Sequence, residues 1–437
     1  MSQEVGLLCK EKQRKEKGQV MTQLMEKVLS RENMLEAYKK VKANKGAGGI
    51  DGIEIDEVDE YLKENWQSIK ERIQKRKYKP SPVKRVEIPK ASGGVRKLGI
   101  PTIVDRIIEQ AIVQVITPIV EPYFSEQSYG FRPKRRAQQA IQKLLEYLND
   151  GYTYIVDIDL EKFFDNVPQD KLMTLVHKII NDPDTESLIA KYLRAGVMIR
   201  GKYEETKMGT PQGGNLSPIL SNIMLNELDK ELEARELRFV RYADDCVIAV
   251  GSSAAANRVM NTITKWIERK LGLKVNATKS KVVRPSNLKY LGFGFVKMKD
   301  KWEARPHKDS IEKFKRKLKK LTSRSWSINM DERIQRLNWV IRGWINYFRI
   351  GKMKKHMTKI DEHLRTRMRI VVWKQWKTSE KRYWGLRKLG APEWMAKQSV
   401  GFASHYQAVA KTTGLRKISK EILSKRGLIS CVDYYLS

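Results

Sequence analysis

Apolar residues between Met21 and Asn44 recur at helical spacing (Leu24, Val28, Leu35, Tyr38, Val41), and the run stops at a glycine-rich turn, Lys45-Gly46-Ala47-Gly48-Gly49-Ile50-Asp51-Gly52. That spacing predicts a helix, and a second follows over Ile55 to Arg76. Val83-Lys84-Arg85-Val86-Glu87-Ile88-Pro89 alternates apolar with polar residues, the period of a half-buried strand. It runs into Lys90-Ala91-Ser92-Gly93-Gly94-Val95-Arg96, a hairpin turn with a cation at each end. Helical patterning returns over Asp105 to Val120, Arg136 to Asn149 and Gln169 to Ile180. Tyr154-Ile155-Val156-Asp157-Ile158-Asp159 reads as a buried strand that ends on acids. From Phe239 to Val250 two apolar arms flank the polar centre Asp244-Asp245, which predicts a hairpin. Beyond Pro306 the pattern is almost wholly helical, and no internal repeat is present. Residues 1–20, polar and charged, read as a loose extension. A mixed α/β body followed by an α-helical tail accounts for this order.

Charge changes that picture most. The 437 residues carry 86 lysines and arginines against 51 acids, a net charge of +35. A folded chain this basic repels itself unless a polyanion neutralises it, which points to nucleic acid or an anionic membrane surface. No apolar run reaches the roughly 18–20 residues of a bilayer span, and the first ten residues hold no signal-peptide core. Cys9, Cys246 and Cys431 are too few and too scattered for a disulfide framework or a zinc cluster, so the chain reads as cytosolic and reduced. The charge is uneven: residues 301–437 hold 34 basic against 11 acidic residues, and 8 of the 10 tryptophans. A solvated face mixes both signs, so an excess this large reads as a nucleic-acid surface, whereas the tryptophans read as core. The length suits about three compact units, and the 41% hydrophobic content excludes a disordered tail or a fibre.

Two acidic groupings carry candidate chemistry. One is the strand end Asp157-Ile158-Asp159; the other is Asp244-Asp245 at the hairpin tip. Adjacent carboxylates repel unless a cation sits between them. A strand-end Asp brought against a hairpin-tip Asp makes an all-oxygen pocket suited to Mg²⁺, which keeps waters and takes phosphate oxygens as further ligands. Two such ions about 4 Å apart activate an attacking hydroxyl and stabilise a leaving oxygen. An exposed Asp-Asp turn is the bland alternative; the apolar arms around the pair and the second acidic strand end weigh against it.

These residues resemble reverse transcriptases. Tyr242-Ala243-Asp244-Asp245 is similar to their hallmark tetrapeptide, and Asp159-Leu160-Glu161-Lys162-Phe163-Phe164-Asp165 to the first acidic motif of the palm, 85 residues earlier as counted between Asp159 and Asp244. Ile88-Pro89-Lys90 through Arg96-Lys97-Leu98-Gly99-Ile100-Pro101 resembles the fingers hairpin, and Tyr129-Gly130-Phe131-Arg132-Pro133 a further fingers segment. Gly209-Thr210-Pro211-Gln212-Gly213-Gly214-Asn215-Leu216-Ser217-Pro218 resembles the loop and helix facing the nascent base pair. Asn276-Ala277-Thr278-Lys279-Ser280 and Tyr290-Leu291-Gly292-Phe293 resemble the later palm motif and the primer grip. The N-terminal helix with its glycine-rich turn, and Gly343-Trp344-Ile345-Asn346-Tyr347-Phe348 in a basic segment, resemble the extension and the maturase-specific thumb of group II intron proteins. The tail has only Cys431 and His405 where many relatives carry a cysteine-rich endonuclease, so it resembles the compact, endonuclease-free kind found in bacterial class C introns.

The resemblance implies an α+β fold: a right-hand polymerase with fingers and palm, an α-helical thumb or maturase domain, and a small basic C-terminal domain. The expected divisions are a polar extension over 1–20, N-terminal extension and fingers over 21–105, fingers and palm over 106–298, thumb over 299–375 and a DNA-binding domain over 376–437. It implies an RNA-directed DNA polymerase that also assists splicing of its intron. Two Mg²⁺ ions, with Mn²⁺ as a substitute, would be held by Asp159, Asp244 and the Leu160 carbonyl, with Asp245 a direct ligand or a neighbouring charge; Asp157 falls outside the motif. Lys90 and Arg96 would clamp the triphosphate, Gln212 would face base and sugar, and Phe164 would exclude a ribose 2′-OH unless it only packs on Phe163. Lys279 would donate a proton to the departing pyrophosphate unless it is a solvated surface lysine. Lys315, Arg316, Lys319 and Lys320 would bind RNA. The implied partners are structured intron RNA, an RNA template, a DNA primer or target and dNTPs, in a bacterial cytoplasm and on the nucleoid when DNA is bound. A domesticated or defence-associated reverse transcriptase without an intron, and a non-catalytic RNA chaperone on the same scaffold, are the alternatives. The maturase-like thumb disfavours the first and the intact acids disfavour the second.

Overall fold

The computed structural model describes residues 21–89, 93–402 and 405–437. The loose extension expected over 1–20 and the Lys90 end of the fingers turn lie outside the described residues. The chain divides into two compact units, one of residues up to Ala140 together with Tyr152–Val283, the other of Ile141–Gly151 and Arg284–Ser437.

In the first unit the helix expected over Met21 to Asn44 is two helices, α1 (Gln23–Val28) and α2 (Arg31–Ala43). The break falls at Ser30, whose backbone is extended and whose Oγ accepts from the Asn33 N–H, capping α2. Helix α3 (Val58–Gln74) leads to the hairpin of β1 (Val83–Pro89) and β2 (Val95–Ile100), paired from Lys84↔Ile100 to Pro89↔Val95. Thr102 caps α4 (Ile103–Val120), accepting from the Asp105 N–H. After α5 (Ala137–Asn149), whose residues from Ile141 belong to the second unit, come β3 (Tyr154–Ile158), the single turn α6 (Phe163–Asn166), α7 (Gln169–Ile180) and α8 (Pro183–Leu193). The ribbon β4 (Val197–Ile199) and β5 (Lys202–Glu204) precedes α9 (Ser217–Ala234), β6 (Arg238–Tyr242), β7 (Asp245–Val250), α10 (Ser253–Trp266) and β8 (Lys281–Val283).

Two four-stranded sheets result, ordered β2-β1-β4-β5 and β6-β7-β3-β8. In the second, β3 is central and antiparallel to both neighbours. Its apolar run follows from that place: Val156 and Ile158 pack into one core with Ile108 and Ile112 of α4, Leu172 and Val176 of α7, and Ile223 and Leu225 of α9. Each fully buried aliphatic side chain of this kind contributes about 1.5–3 kcal/mol. Helix α9 is buried on nearly every side, so it shows little amphipathic period.

The second unit adds strands ahead of the stretch read as helical beyond Pro306. β9 (Lys289–Tyr290), β10 (Phe293–Met298) and β11 (Lys301–Pro306) form a three-stranded antiparallel sheet. Helices α11 (Lys308–Leu321), α12 (Met330–Phe348), α13 (Lys354–Gln375), α14 (Ser379–Lys388) and α15 (Glu393–Gly401) follow, then the short α16 (Tyr406–Val409), α17 (Thr413–Arg416), α18 (Lys420–Lys425) and α19 (Cys431–Leu436). In α11, Ile311, Phe314 and Leu318 are buried at 3- and 4-residue spacing while Lys315, Arg316, Lys319 and Lys320 are exposed. Phe314 stacks on Trp344 at 4.5 Å. Asp361 of α13 fastens α19 by accepting from Ser430 Oγ and from the Cys431 and Val432 N–H groups. The expectation that the tail's tryptophans are core holds for Trp373, which is fully buried, and fails for Trp339, Trp384 and Trp394, each more than half exposed. Among the described residues no helix is long and apolar enough to cross a membrane.

Candidate active site

Strand β3 delivers Asp159 just past its own C-terminal end. Beyond Ile158 the chain leaves the ladder, and the Asp159 N–H donates to Ser280 Oγ at 3.0 Å while its carbonyl accepts from the Asn276 N–H at 2.8 Å. With the Glu161 N–H bonded to the Lys274 carbonyl, Leu160 and Val275 face each other as a non-hydrogen-bonded antiparallel pair. In such a pair the residue's own N–H and C=O point away from the partner strand, so the Leu160 carbonyl is turned off that ladder. The β3–β7 register pairs Ile158 with Cys246; one step further it sets Asp159 across from Asp245.

The second acidic element is the two-residue turn Ala243-Asp244 closing the β6–β7 hairpin, with Tyr242 paired to Asp245. Ala243 has φ +56°, a left-handed conformation that a non-glycine residue holds only when its surroundings fix it. Those surroundings are polar and buried. Arg241, with no exposed surface, binds Asp229 of α9 through two contacts of 2.7 and 2.5 Å, Asn222 Oδ1 at 3.0 Å and the Ala243 carbonyl at 2.9 Å. Asn222 in turn donates to the Gly130 carbonyl at 2.8 Å, and a Cβ at Gly130 would lie 2.2 Å from the Ala243 nitrogen. Sequence reasoning missed Arg241 and Asp229. The available signal was a charged residue inside an apolar strand arm.

A cavity of about 890 Å³ opens over both acidic elements. Asp159, Leu160, Asp244 and Asp245 line it with Phe164, Gln212, Arg96 and Lys279, so the described residues expected at the polymerase site meet in one place. The Phe164 ring meets Phe163 edge-to-face at 5.3 Å, and the residue also borders the cavity. The loop bearing Gln212 is pressed on β2, its carbonyl accepting from the Gly99 N–H at 2.7 Å. Gly213 has φ +126° and a Cβ there would sit 2.4 Å from the Gly99 carbonyl oxygen, so the position requires glycine. Arg85 and Lys97 also line the cavity without having been singled out by sequence; Arg85 Nε is buried with no partner among the described residues. Lys315, Arg316, Lys319 and Lys320 belong to the other unit, on the exposed face of α11.

The cavity's electrostatics favour a cation. Asp245 keeps an accessible edge, yet protein excludes most of its water; that desolvation first, then the charges of Asp244, Asp157 and Asp159, pushes its carboxyl up to about 7. Burial and the Asp159 charge raise Asp244, against the lowering influence of its own backbone N–H, Arg96 and Arg241. Burial pushes Asp157 up to about 6, opposed by Lys281 across the ladder. Lys279 Nζ lies 3.4 Å from Asp159 Oδ1, a monocation against one of these acids. Among the described residues no three carboxylate, imidazole or thiol groups gather closely enough to hold a metal ion by themselves. Mg²⁺ is held by one or two carboxylates with water and phosphate oxygens completing its shell, and mutually repelling carboxylates on an open cavity are a donor set of that kind.

Comparison with known proteins agrees with this geometry. Residues 88–295 match the family model of the reverse transcriptase (RNA-dependent DNA polymerase), and residues 311–390 match the maturase-specific domain of group II introns. Protein YkfC of Escherichia coli (strain K12) is 32% identical over 299 residues, covering 59% of this chain and 78% of that protein. The group II intron-encoded protein LtrA of Lactococcus lactis subsp. cremoris is 36% identical over 224 residues, covering 51% of this chain and 37% of LtrA. The chain belongs to the reverse transcriptases that carry a group II intron maturase-specific domain, with the RNA-dependent DNA polymerase domain first and the maturase-specific domain after it.

Proposed function

We propose that this chain copies its own intron RNA into DNA by two-metal nucleotidyl transfer and helps that RNA fold for splicing. The observation that carries the first half is the meeting of Asp159, Asp244 and Asp245 in one cavity with Arg96, Gln212 and Lys279. In this reading the primer 3′ oxygen bonds to the α-phosphorus of a dNTP, the bond to the β-phosphate oxygen breaks, and pyrophosphate leaves. Asp159, Asp244 and the Leu160 carbonyl would hold divalent ions, with Asp245 beside them. Two bound Mg²⁺ ions would lower the pKa of the attacking hydroxyl and stabilise the leaving oxygen. Arg96 draws the triphosphate against the β2 wall, and Gln212 with Gly213 gives base and sugar a close backbone surface. Lys279, already beside Asp159, is within reach to give a proton to the departing pyrophosphate. The phenyl ring of Phe164 bounds the sugar and disfavours a 2′-hydroxyl. The basic face of α11 supports the second half: Lys315 pairs with Glu312 at 2.9 Å, and Arg316, Lys319 and Lys320 add positive charge beyond that pair, an excess that suits an RNA backbone. The activity belongs in a cytoplasm, where RNA, dNTPs and Mg²⁺ coexist.

The test compares wild type with Asp244→Asn for primer extension on an RNA template with Mg²⁺, and for binding and assisted splicing of the intron RNA. Asp244→Asn keeps shape and removes one charge, so polymerisation should fall at least about 10³-fold. RNA affinity should hold, because one site charge counts little beside many phosphate contacts. Loss of splicing assistance with normal RNA binding would refute the separation of the two activities.

A further inference from the structure

Helix α4 carries a buried acid that the polymerase site as described does not use. Glu109 is 3% exposed and lies one helical turn after Asp105, on the same face. Asp105 is fully occupied: Tyr78 Oη, Thr102 Oγ1, the Ser81 N–H and Tyr192 Oη donate to it at 2.7, 2.8, 3.1 and 3.2 Å. That network fixes the start of α4. Glu109 points instead at the loop between β5 and α9, where its Oε2 accepts from the Asn215 N–H at 2.5 Å and its carboxyl also takes the Leu216 N–H. The Asn215 side chain donates to the Arg106 carbonyl and to Gln110 Oε1, tying the same loop to the same helix. A Cβ at Gly214 would come within 3.0 Å of Glu109 Oε2, so the carboxyl fills the space behind the loop. The loop is therefore held on two sides, by Gly99 of β2 through the Gln212 carbonyl and by Glu109 of α4 through the Asn215 and Leu216 amides. Gln212 is itself the first of these holds and lines the cavity, with Gly213 and Gly214 spanning to the second.

We propose that Glu109 is a positioning residue for nucleotide binding, setting the Gln212–Gly214 segment at the depth where an incoming dNTP meets it. The proposal rests on the polymerase reading above. Glu109 does not line the cavity, so it acts through the loop backbone. Burial pushes its carboxyl up to about 8, with the charge of Asp105 adding to this and Arg106 and the two amides opposing it; Tyr192 of α8 is the titratable group that faces it from another element. At neutral pH it therefore serves as an uncharged acceptor. Glutamine reproduces that shape and acceptor; leucine fills the space and accepts nothing.

The experiment uses the full chain with Glu109→Gln, Glu109→Leu and Glu109→Asp. Primer extension on an RNA template gives KM for a dNTP and kcat at saturation, and amide hydrogen exchange follows residues 212–216. Glu109→Leu should raise KM about tenfold with kcat changed less than about threefold, because a loosened loop costs uniform nucleotide binding more than chemistry. Exchange at Asn215 and Leu216 should quicken in Glu109→Leu and not in Glu109→Gln, which should keep KM within about twofold of wild type. A folded Glu109→Leu with unchanged KM and exchange overturns the proposal, and so does a fall in kcat with KM unchanged. If Glu109→Leu does not fold, Glu109→Asp, whose carboxyl is set back by one methylene, decides by the same two readouts. If wild type extends no primer, the polymerase reading fails, and the exchange comparison still decides whether Glu109 holds the loop.

Discussion

Replacing Gly130 by alanine should disable the polymerase while leaving RNA binding intact. The added Cβ would stand 2.2 Å from the Ala243 nitrogen, 2.9 Å from the Tyr242 carbonyl carbon and 3.0 Å from the Ala243 Cα. Ordinary contact begins near 3.4 Å, so the two segments must part by about 1 Å. All three obstructing atoms are backbone, so no side chain can swing aside. The hairpin tip cannot drift freely, because Arg241 holds the Ala243 carbonyl and Asn222 holds the Gly130 carbonyl. Displacing the tip by that distance moves Asp244 and should cost about 10²-fold in kcat. Displacing the Gly130 segment instead should cost about 1–3 kcal/mol of stability through overpacking. The assay is single-nucleotide extension at saturating dNTP and Mg²⁺, run beside thermal melting and intron-RNA binding. Wild-type extension within twofold, with an unchanged melting temperature, would refute the close support of the turn by Gly130.

Three further outcomes follow from the site and its surroundings. Phe164→Ala should admit ribonucleotides, with discrimination on an RNA template falling at least about tenfold for a loss of 1.4 kcal/mol; unchanged discrimination with normal dNTP use would assign the ring to its packing on Phe163. Neutralising Lys315, Arg316, Lys319 and Lys320 together should flatten the slope of log K against log salt for RNA by about 3 if each meets a phosphate, with little change in melting because all four are exposed; an unaltered slope would place the RNA elsewhere. Glu109 holds a proton in the folded chain up to about pH 8 and releases it near its ordinary value, about 4.3, when unfolded. Its contribution to stability is thus full below that lower value and is lost as pH rises through 8. Glu109→Gln should therefore gain melting temperature relative to wild type between pH 5 and pH 8, and a constant difference would contradict the assignment.

The two acidic elements are legible in the sequence because they end or interrupt nearly continuous apolar, buried runs. Val156 and Ile158 alternate around Asp157, and Val247 to Val250 continue the hairpin arm without a polar interruption, so turns and acids stand out against them. Ser30 is harder to see: a helical period runs across it, and only its role as a cap for α2 ends one helix and begins another. Strands β10 and β11 escape because Lys297, Lys299 and Lys301 surround their turn and dilute the apolar signal. Arg241 and Glu109 escape for a different reason. Glu109 looks like a polar residue on a solvent face and Arg241 stands out only as a charge in an apolar arm; what makes each structural is a partner brought by the fold, Asp229 of α9 for the arginine and the backbone of Asn215 and Leu216 for the glutamate. Exposed Trp339, Trp384 and Trp394 show the converse, large rings that the burial tendency of their type assigned to the interior.

Helix α9 gives the gene an uneven tolerance to changes of length. Its first turn follows directly on the Gln212–Leu216 segment, while Asn222 and Asp229, seven positions and two turns apart, brace the Asp244 turn from the same helix. Both walls of the cavity are thus indexed to one rod. A codon gained or lost between Ser217 and Asn222 would rotate everything downstream by about 100° and shift it by 1.5 Å, turning Asn222 and Asp229 away from Arg241 or dragging the nucleotide-facing segment off β2. Substitutions in that stretch can be absorbed one at a time; insertions and deletions cannot. The β4–β5 ribbon is the opposite case. Arg200 and Gly201 sit in a tight turn at its tip, a Cβ at Gly201 would meet nothing within 4 Å, and Lys202 to Glu204 are exposed. In natural variants of this chain, length should drift at such tips and stay constant along α9.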